Sequence, residues 1–136
     1  MFALEPVIAD RVRDVLVAPW QVFGRSTDPG QRNRPPQAVV AFAATNVADS
    51  KTGAALVQAG WRISLTARKG DEAAGLLDAA FVAIVAQLHN WSPGEVAGRR
   101  WERLSLIQVI APEDGEEGLV NADLVFNTAA RFDGQD

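Results

Sequence analysis

The residues that come nearest to a catalytic arrangement are His89, Asn90 and Ser92. A hydrolytic triad needs a histidine that activates a serine or cysteine nucleophile, and the nucleophile commonly stands in a recognisable turn sequence. The chain has one histidine, no cysteine and no such turn sequence. His89 is expected instead near the end of a helix, where an imidazole interacts favourably with the helix dipole.

Phosphate-binding and metal-binding patterns are also missing from the sequence. Neither GxGxxG nor GxxxxGK[ST] occurs, so no glycine-rich loop is expected to hold a nucleotide. The absence of cysteine excludes disulfides and thiolate metal ligands. The sequence therefore predicts a protein that is not an enzyme, with no catalytic residue, no cofactor and no metal site.

Arginines are concentrated in a polar segment at positions 24–37, which reads GRSTDPGQRNRPPQ. Its proline and glycine content predicts a long loop, and long loops in small domains are often functional. Arg25, Arg32 and Arg34 are suited to planar, bidentate contacts with carboxylates of a neighbouring subunit. From the residues alone, a solvated surface loop is the simpler interpretation.

Acidic residues are concentrated at positions 112–118, PEDGEEG, which is predicted to be a hairpin loop. Glu113, Asp114, Glu116 and Glu117 can line a channel that repels DNA phosphates, or can receive the arginine loop of the next subunit. A soluble, solvent-exposed turn is the simplest interpretation. Calcium binding is not favoured, because the carboxylates lack the DxDxDG-type ligand spacing.

The clearest secondary-structure pattern runs from Leu56 to Arg68, where strict alternation predicts an antiparallel strand with one buried face. Its polar face carries Arg62, Ser64, Thr66 and Arg68. A later strand carries Asn121, Asp123 and Asn127 on its polar side. Together they predict a polar outer surface of the sheet, which is either its solvated side or a subunit contact.

Periodicity and turn residues predict seven elements. They are a helix over 5–17, strands over 20–23, 38–44 and 56–68, a helix over 72–90 with Asp71 as its N-cap, and strands over 101–110 and 119–132. The connection between the second and third strands is polar, TNVADSKTGA. The fold class is α+β, a mainly antiparallel sheet with one long helix packed on it and an N-terminal helix, in the order α-β-β-β-α-β-β.

The predicted core lies between the long helix and the sheet. The helix contributes an apolar stripe of Leu77, Phe81, Ile84, Val85 and Leu88, and Trp61 and Trp101 are expected to be buried on strands. Trp20 and Trp91 stand at the ends of elements and are expected to be partly buried.

Size and composition indicate one globular domain over residues 1–136, with a polar end at 133–136. No apolar run is long enough to span a membrane, and Glu5 and Asp10 interrupt any signal-peptide-like start. The net charge of −4 and pI near 4.9 argue against tight, nonspecific binding to nucleic acid.

Two segments resemble bacteriophage tail terminator proteins, also called tail completion or minor tail proteins. The first is AGWRISLTARKGDEAAGLLDAAFVAIVAQLHNWSP, a long strand, a short polar break and an amphipathic helix that ends in a polar turn. The second is the closing strand GLVNADLVFNTAARF after the acidic hairpin. The similarity covers residues 38–132, and the first helix also fits.

The resemblance implies a structural virion protein. Such proteins form a ring, commonly a hexamer, at the head-proximal end of the tail, where they stop growth of the tail tube and offer a surface to the head connector. The implied partners are other copies of the chain, the tube protein and the connector, with assembly in the host cytoplasm. DNA passes through the ring without sequence readout, and no membrane is involved.

Two alternatives remain open. One is another head–tail joining or tail-tube component of the virion. The other, from a different class, is a cone-shaped α+β protein that binds or isomerises a small apolar ligand, which a deep apolar cavity holding an Asp or Glu would favour.

Overall fold

The computed structural model describes residues 1–26, 35–48, 54–111 and 118–133. In chain order its elements are α1 (Leu4–Arg13), β1 (Gln21–Gly24), β2 (Gln37–Ala48), β3 (Ala54–Arg68), α2 (Ala73–Leu88), β4 (Gly94–Val96), β5 (Arg99–Trp101), β6 (Ser105–Ile110) and β7 (Leu119–Asp133). The α+β class is confirmed, and the predicted order holds for the helices and the main sheet.

The main sheet has the strand order β1-β2-β3-β7-β6. β1 is parallel to β2, and the other neighbours are antiparallel. β3 and β7 are both 15 residues long and pair over their whole length, from Ala54 opposite Asp133 to Arg68 opposite Leu119. At about 3.4 Å per residue this ladder spans roughly 50 Å, about twice the length of α2.

Both helices pack on one face of the sheet, called the inner face. On β3 the inner residues are Trp61, Ile63, Leu65 and Ala67, all buried as the alternation predicts. α1 adds Leu4, Ile8 and Val12 to the same core cluster, and α2 adds Ala80, Ile84 and Leu88. Full burial of each large apolar side chain contributes about 1.5–3 kcal/mol, so this face carries most of the stability.

The predicted apolar stripe of α2 is confirmed, with a gradation in depth. Ile84 and Leu88 are fully buried, whereas Leu77, Phe81 and Val85 are partly buried against the core. The side chain of Arg11 in α1 ties the two helices together, because its Nε donates to the carbonyl of Gln87 at 3.0 Å.

Both predicted helix boundaries need correction. α1 ends at Arg13 rather than Val17, and the amides of Val15 and Leu16 both bond back to Val12 in a closing turn. The restriction that Pro19 places on the residue before it disfavours further helix.

α2 begins later than predicted, and Asp71 does not cap it. The N-cap is Glu72, in helical conformation and without a side-chain capping bond. At the other end the backbone of His89 is extended, with ψ of 127°, so the helix stops before Asn90. The Nδ1 atom of His89 accepts a bond from the Leu106 amide at 3.0 Å. The imidazole therefore lies at the C-terminal end of α2, as the sequence predicts, and it also bonds to β6.

The polar connection predicted at 45–54 is largely strand. β2 continues to Ala48 and pairs with β3 from Leu56 onward, while residues 49–53 lie outside the described part. The hydroxyl of Thr45 donates to the Gln58 carbonyl at 2.9 Å. The pairing of β2 with β3 continues past a register shift between Phe42 and Ala44, which a propensity argument does not anticipate.

The strand predicted over 101–110 is present from Ser105 to Ile110 as β6, but its first part is wrong. The structure instead has a small antiparallel hairpin, β4–β5, followed by a break and then β6. The hairpin turns at Ala97 and Gly98, with φ of 53° and 78°. Positive φ at both central residues of a two-residue turn matches the right-handed twist of the strands it joins.

The helices described here are too short or too polar to cross a membrane.

Candidate assembly surface

The face of the sheet opposite the helices, called the outer face, carries the predicted polar residues. Arg62 and Arg68 are exposed, and Ser64 and Thr66 are half-buried between their neighbours. Strand register places Ser64 opposite Asp123 and Thr66 opposite Asn121. The structure therefore brings the two predicted polar strand faces together on one surface.

Arg62 is an exposed cation near the centre of this face. Its Nε lies 3.8 Å from Oδ2 of Asp123, and the two side chains are 45% and 14% exposed. Ion pairs this open contribute at most about 1 kcal/mol. A guanidinium has five N–H donors in a fixed fork, so Arg62 can also bind a carboxylate presented by a partner.

The rest of the outer face mixes polar and small apolar groups. The hydroxyl of Thr66 bonds to Oδ1 of Asn121 at 2.8 Å. Val39, Ala41 and Val125 lie beside these residues and are no more than 7% exposed. A polar surface with a modest apolar content is typical of assembly interfaces and of solvated sheet faces alike.

Arg25 lies at the edge of the same surface. Its amide donates to the Val40 carbonyl at 2.9 Å, directly after the last residue of β1. The residue of β2 that follows Val40 is Ala41, and Ala41 is paired with Arg62 of β3. With strands about 4.8 Å apart, the backbone of Arg25 is roughly 10 Å from that of Arg62.

The residue after Arg25 is fixed by a buried carboxylate. Glu5 in α1 is 1% exposed, and its Oε2 accepts bonds from the hydroxyl and amide of Ser26 at 2.6 and 3.0 Å. A buried charge is tolerated only when it is well hydrogen-bonded. The pair therefore fixes where the chain enters the arginine-bearing segment, a role for Glu5 that no sequence pattern indicates.

Arg68 ends β3 at the other side of the outer face. It lines a shallow hollow of about 210 Å³ together with Glu72, Leu76 and three prolines. Arg32 and Arg34, and the carboxylates Glu113, Asp114, Glu116 and Glu117, lie outside the described residues. Their predicted contacts remain predictions.

A second group of arginines was missed by the sequence analysis. Arg99 and Arg100 of β5 and Arg131 of β7 line an open hollow of about 540 Å³, here called the arginine hollow, with Ala97, Gly98 and Asp133. A hairpin signal was present, since Gly98 follows a short apolar pair and precedes Arg99-Arg100-Trp101. The packing of that hairpin beside β7 has no signature in the sequence.

The residues nearest to a catalytic arrangement have separate structural roles. The imidazole of His89 accepts a hydrogen bond from the Leu106 amide. The carbonyl of Asn90 accepts a hydrogen bond from the Arg103 side chain at 2.8 Å. The hydroxyl of Ser92 donates to the Trp101 carbonyl at 3.2 Å. Across the ranges that the structure describes, no group of three or more His, Asp or Glu residues could hold a metal ion.

The tryptophan predictions are confirmed. Trp61 and Trp101 are at most 2% exposed, and Trp20 and Trp91 are partly buried against the core. The ring of Trp91 lies 4.3 Å from the guanidinium carbon of Arg11. This cation–π contact makes packing between the helices a sufficient explanation for Trp91.

Comparison with known proteins gives one kind of similarity. No family model matches the sequence, and no curated protein matches it. Among solved structures, the fold is similar to that of a chain in the structure described as "Virion of native gene transfer agent (GTA) particle". The TM-score is 0.58 at 22% sequence identity, over 93% of this chain and 85% of that one. This chain therefore shares its fold with a virion component.

Proposed function

We propose that this chain is a structural virion protein, and that its role is that of a tail terminator. The observation that carries the proposal is the fold similarity to a virion chain, which extends over nearly the whole of both chains. The strand–helix and closing-strand segments that resemble tail terminators are β3, α2 and β7, the elements that build the sheet and its helical cover.

In this proposal identical copies close into a ring, commonly of six, and the ring is the working unit. Ring contacts join two different patches of the same chain, because each copy meets one neighbour on either side. The outer face, with Arg62 at its centre and Arg25 and Arg68 at its borders, is the proposed contact surface. Occupation of the tube's growing end blocks further tube protein sterically, and the far surface of the ring binds the connector.

The overall charge fits a ring through which DNA passes. Tight, nonspecific DNA binding depends on cations that release counterions from the phosphates, and this chain has a net charge of −4. The proposed mechanism is steric and needs no catalytic group. Turnover of a metabolite by isolated protomers would contradict it.

Another head–tail joining or tube component has the same support from the fold. The two roles differ in what they do to the tube: a terminator stops its growth, and a tube component extends it. The small-ligand alternative required a carboxylate inside a deep apolar cavity. Glu5 is buried, but its oxygens are bonded to Ser26, and it lines neither the arginine hollow nor the hollow beside Arg68.

The test measures mass and tube growth together. Light scattering of the purified chain is expected to give a multi-subunit mass, and addition of the chain to polymerising tube protein is expected to shorten the tubes. Arg62→Glu should shift the mass toward the monomer. Arg103→Glu, an exposed change of equal charge outside the outer face, is the matched control. A wild-type chain that stays monomeric at high concentration and leaves tube length unchanged would overturn the proposal.

A further inference from the structure

The arginine hollow is held in place by the core. Trp101, at the end of β5, is 2% exposed, and its ring packs edge-on against Phe132 of β7 at 5.9 Å. The Glu102 amide donates to the Ala129 carbonyl at 2.9 Å, and the Thr128 hydroxyl donates to the Glu102 carbonyl at 2.7 Å. The hairpin that carries Arg99 and Arg100 is therefore fixed against β7.

Two of the three guanidinium groups are oriented by contacts of their own. Arg99 lies over the ring of Phe132, with its guanidinium carbon 4.0 Å from the ring centroid. Nε of Arg131 lies 3.0 Å from Oδ1 of Asp133, and both of those side chains are more than 70% exposed. Among the described residues the hollow has three arginines and Asp133, and Glu95 is paired opposite Arg100 in the hairpin. These described side chains carry a net positive charge. The open form of the hollow and its donors suit a ligand with several carboxylates or phosphates.

The acidic connection at 112–117 is attached to the opposite end of the same ladder. β7 begins at Leu119 and carries Arg131 twelve residues later, which is about 40 Å along an extended strand. A connection of six residues that is fixed to the sheet at Gly118 can extend at most about 22 Å from that point. The four carboxylates of one copy therefore cannot enter the arginine hollow of the same copy.

We propose that the arginine hollow binds the acidic connection (Glu113, Asp114, Glu116 and Glu117) of a second copy of this chain. The inference deepens the proposed ring by naming a contact between neighbouring copies, and it rests on that proposal. The argument for this occupant is charge complementarity between two patches of one chain. The hollow and Gly118, where the acidic connection joins β7, lie at opposite ends of the β3–β7 ladder, so each copy can use both at once. A heterologous ring requires this arrangement.

DNA phosphates are the competing occupant. Three arginines around one hollow can also contact a duplex backbone. The second copy is favoured because every copy carries one acidic connection for each arginine hollow.

The experiment uses charge reversal at each end of the ladder in the full chain. One variant carries Arg100→Glu and Arg131→Glu; Arg99 is kept because it packs on Phe132. The other carries Glu113→Lys, Asp114→Lys, Glu116→Lys and Glu117→Lys. Arg103→Glu is the control, since its side chain is exposed and lies away from both the hollow and Gly118. Light scattering gives the self-association constant, and circular dichroism checks the fold.

Each variant alone is expected to self-associate at least tenfold more weakly than wild type, because like charges then meet at every contact. An equimolar mixture of the two variants is expected to recover assemblies, because each acidic end can then pair with a basic one. The control should assemble like wild type. Recovery in the mixture also shows that both variants fold.

The results separate the two proposals. A wild-type chain that does not assemble contradicts the ring itself. A wild-type chain that assembles, with reversal variants that assemble equally well, contradicts this contact and leaves the ring standing. A hollow variant that assembles normally but loses binding to a short DNA duplex identifies DNA as the occupant and overturns the inference.

Discussion

The two faces of β3 come from one alternating sequence, yet they differ in what is packed on them. Ile63 on the inner face is fully buried under the helices, whereas the adjacent Ser64 is half-buried on the outer face. The same difference separates Phe126 from Asn127 on β7. One strand pair thus carries a face that stabilises the fold and a face that can contact partners without loss of the core. Substitutions on the two faces should therefore affect different measurements.

The largest effect is expected for Phe126→Ala on the inner face. Phe126 is paired with Trp61, and both are fully buried. Loss of the ring leaves a cavity between sheet and helices, and such truncations lower the free energy of unfolding by about 3–5 kcal/mol. Urea unfolding measures the change. The adjacent Asn127→Ala is the outer-face control, with an expected change within about 0.5 kcal/mol. Equal losses at both positions would contradict the division between the faces.

A smaller effect is expected for Glu5→Gln, which tests how the arginine-bearing segment is attached to the core. The carboxylate accepts bonds from the amide and hydroxyl of Ser26. A neutral amide weakens these charge-assisted bonds and adds two donors at a buried position, so unfolding should become easier by about 1–3 kcal/mol. Urea unfolding reports the loss, with the exposed Glu95→Gln as control. An unchanged midpoint would show that the buried charge does not stabilise the fold.

The alternation on β3 and β7 could be predicted from the sequence because one face is buried, and a shift of one residue would expose Trp61 and Ile63. The apolar stripe of α2 was predictable for the same reason. The β4–β5 hairpin was not predictable, because strands of three residues are too short to show a clear alternation of polar and apolar side chains. The extension of β2 to Ala48 was not either, since polar residues such as Thr45 and Asn46 are placed there by pairing with β3.

The same limit applies to the candidate contact residues. The polar outer face followed from alternation, so Arg62 and Arg68 were found. The arginine hollow joins residues about thirty positions apart, and the burial of Glu5 depends on Ser26, which is 21 positions away. These proximities arise from tertiary packing, and local sequence patterns carry no information on them.

The β4–β5 turn belongs to a surface element outside both faces, and a substitution there tests whether the hairpin opens separately from the sheet. Gly98 has φ of 78°, and in the described part of the chain no heavy atom beyond its two sequence neighbours lies within 4 Å of the place where a Cβ would stand. Gly98→Ala therefore meets no steric clash, and its cost is the left-handed conformation alone, about 1–2 kcal/mol. Hydrogen exchange should show faster opening of the amides in β4 and β5, with the amides of β3 unchanged. Equal acceleration in β3 would mean that the hairpin and the sheet open as one unit.

The smallest stability effect is expected at Ala97, the other central residue of the turn. Its φ of 53° is unfavourable for alanine and is tolerated better by asparagine. Ala97→Asn should therefore raise the free energy of unfolding by a few tenths of a kcal/mol, or about 1 kcal/mol at most. Because Ala97 lines the arginine hollow, this change also separates hairpin rigidity from charge. If the hollow binds a second copy, a more rigid hairpin with its arginines intact should associate at least as tightly as wild type. Weaker association in a more stable variant would mean that the hairpin must rearrange on binding, and that the arrangement of the arginines described here is not the one that meets a partner.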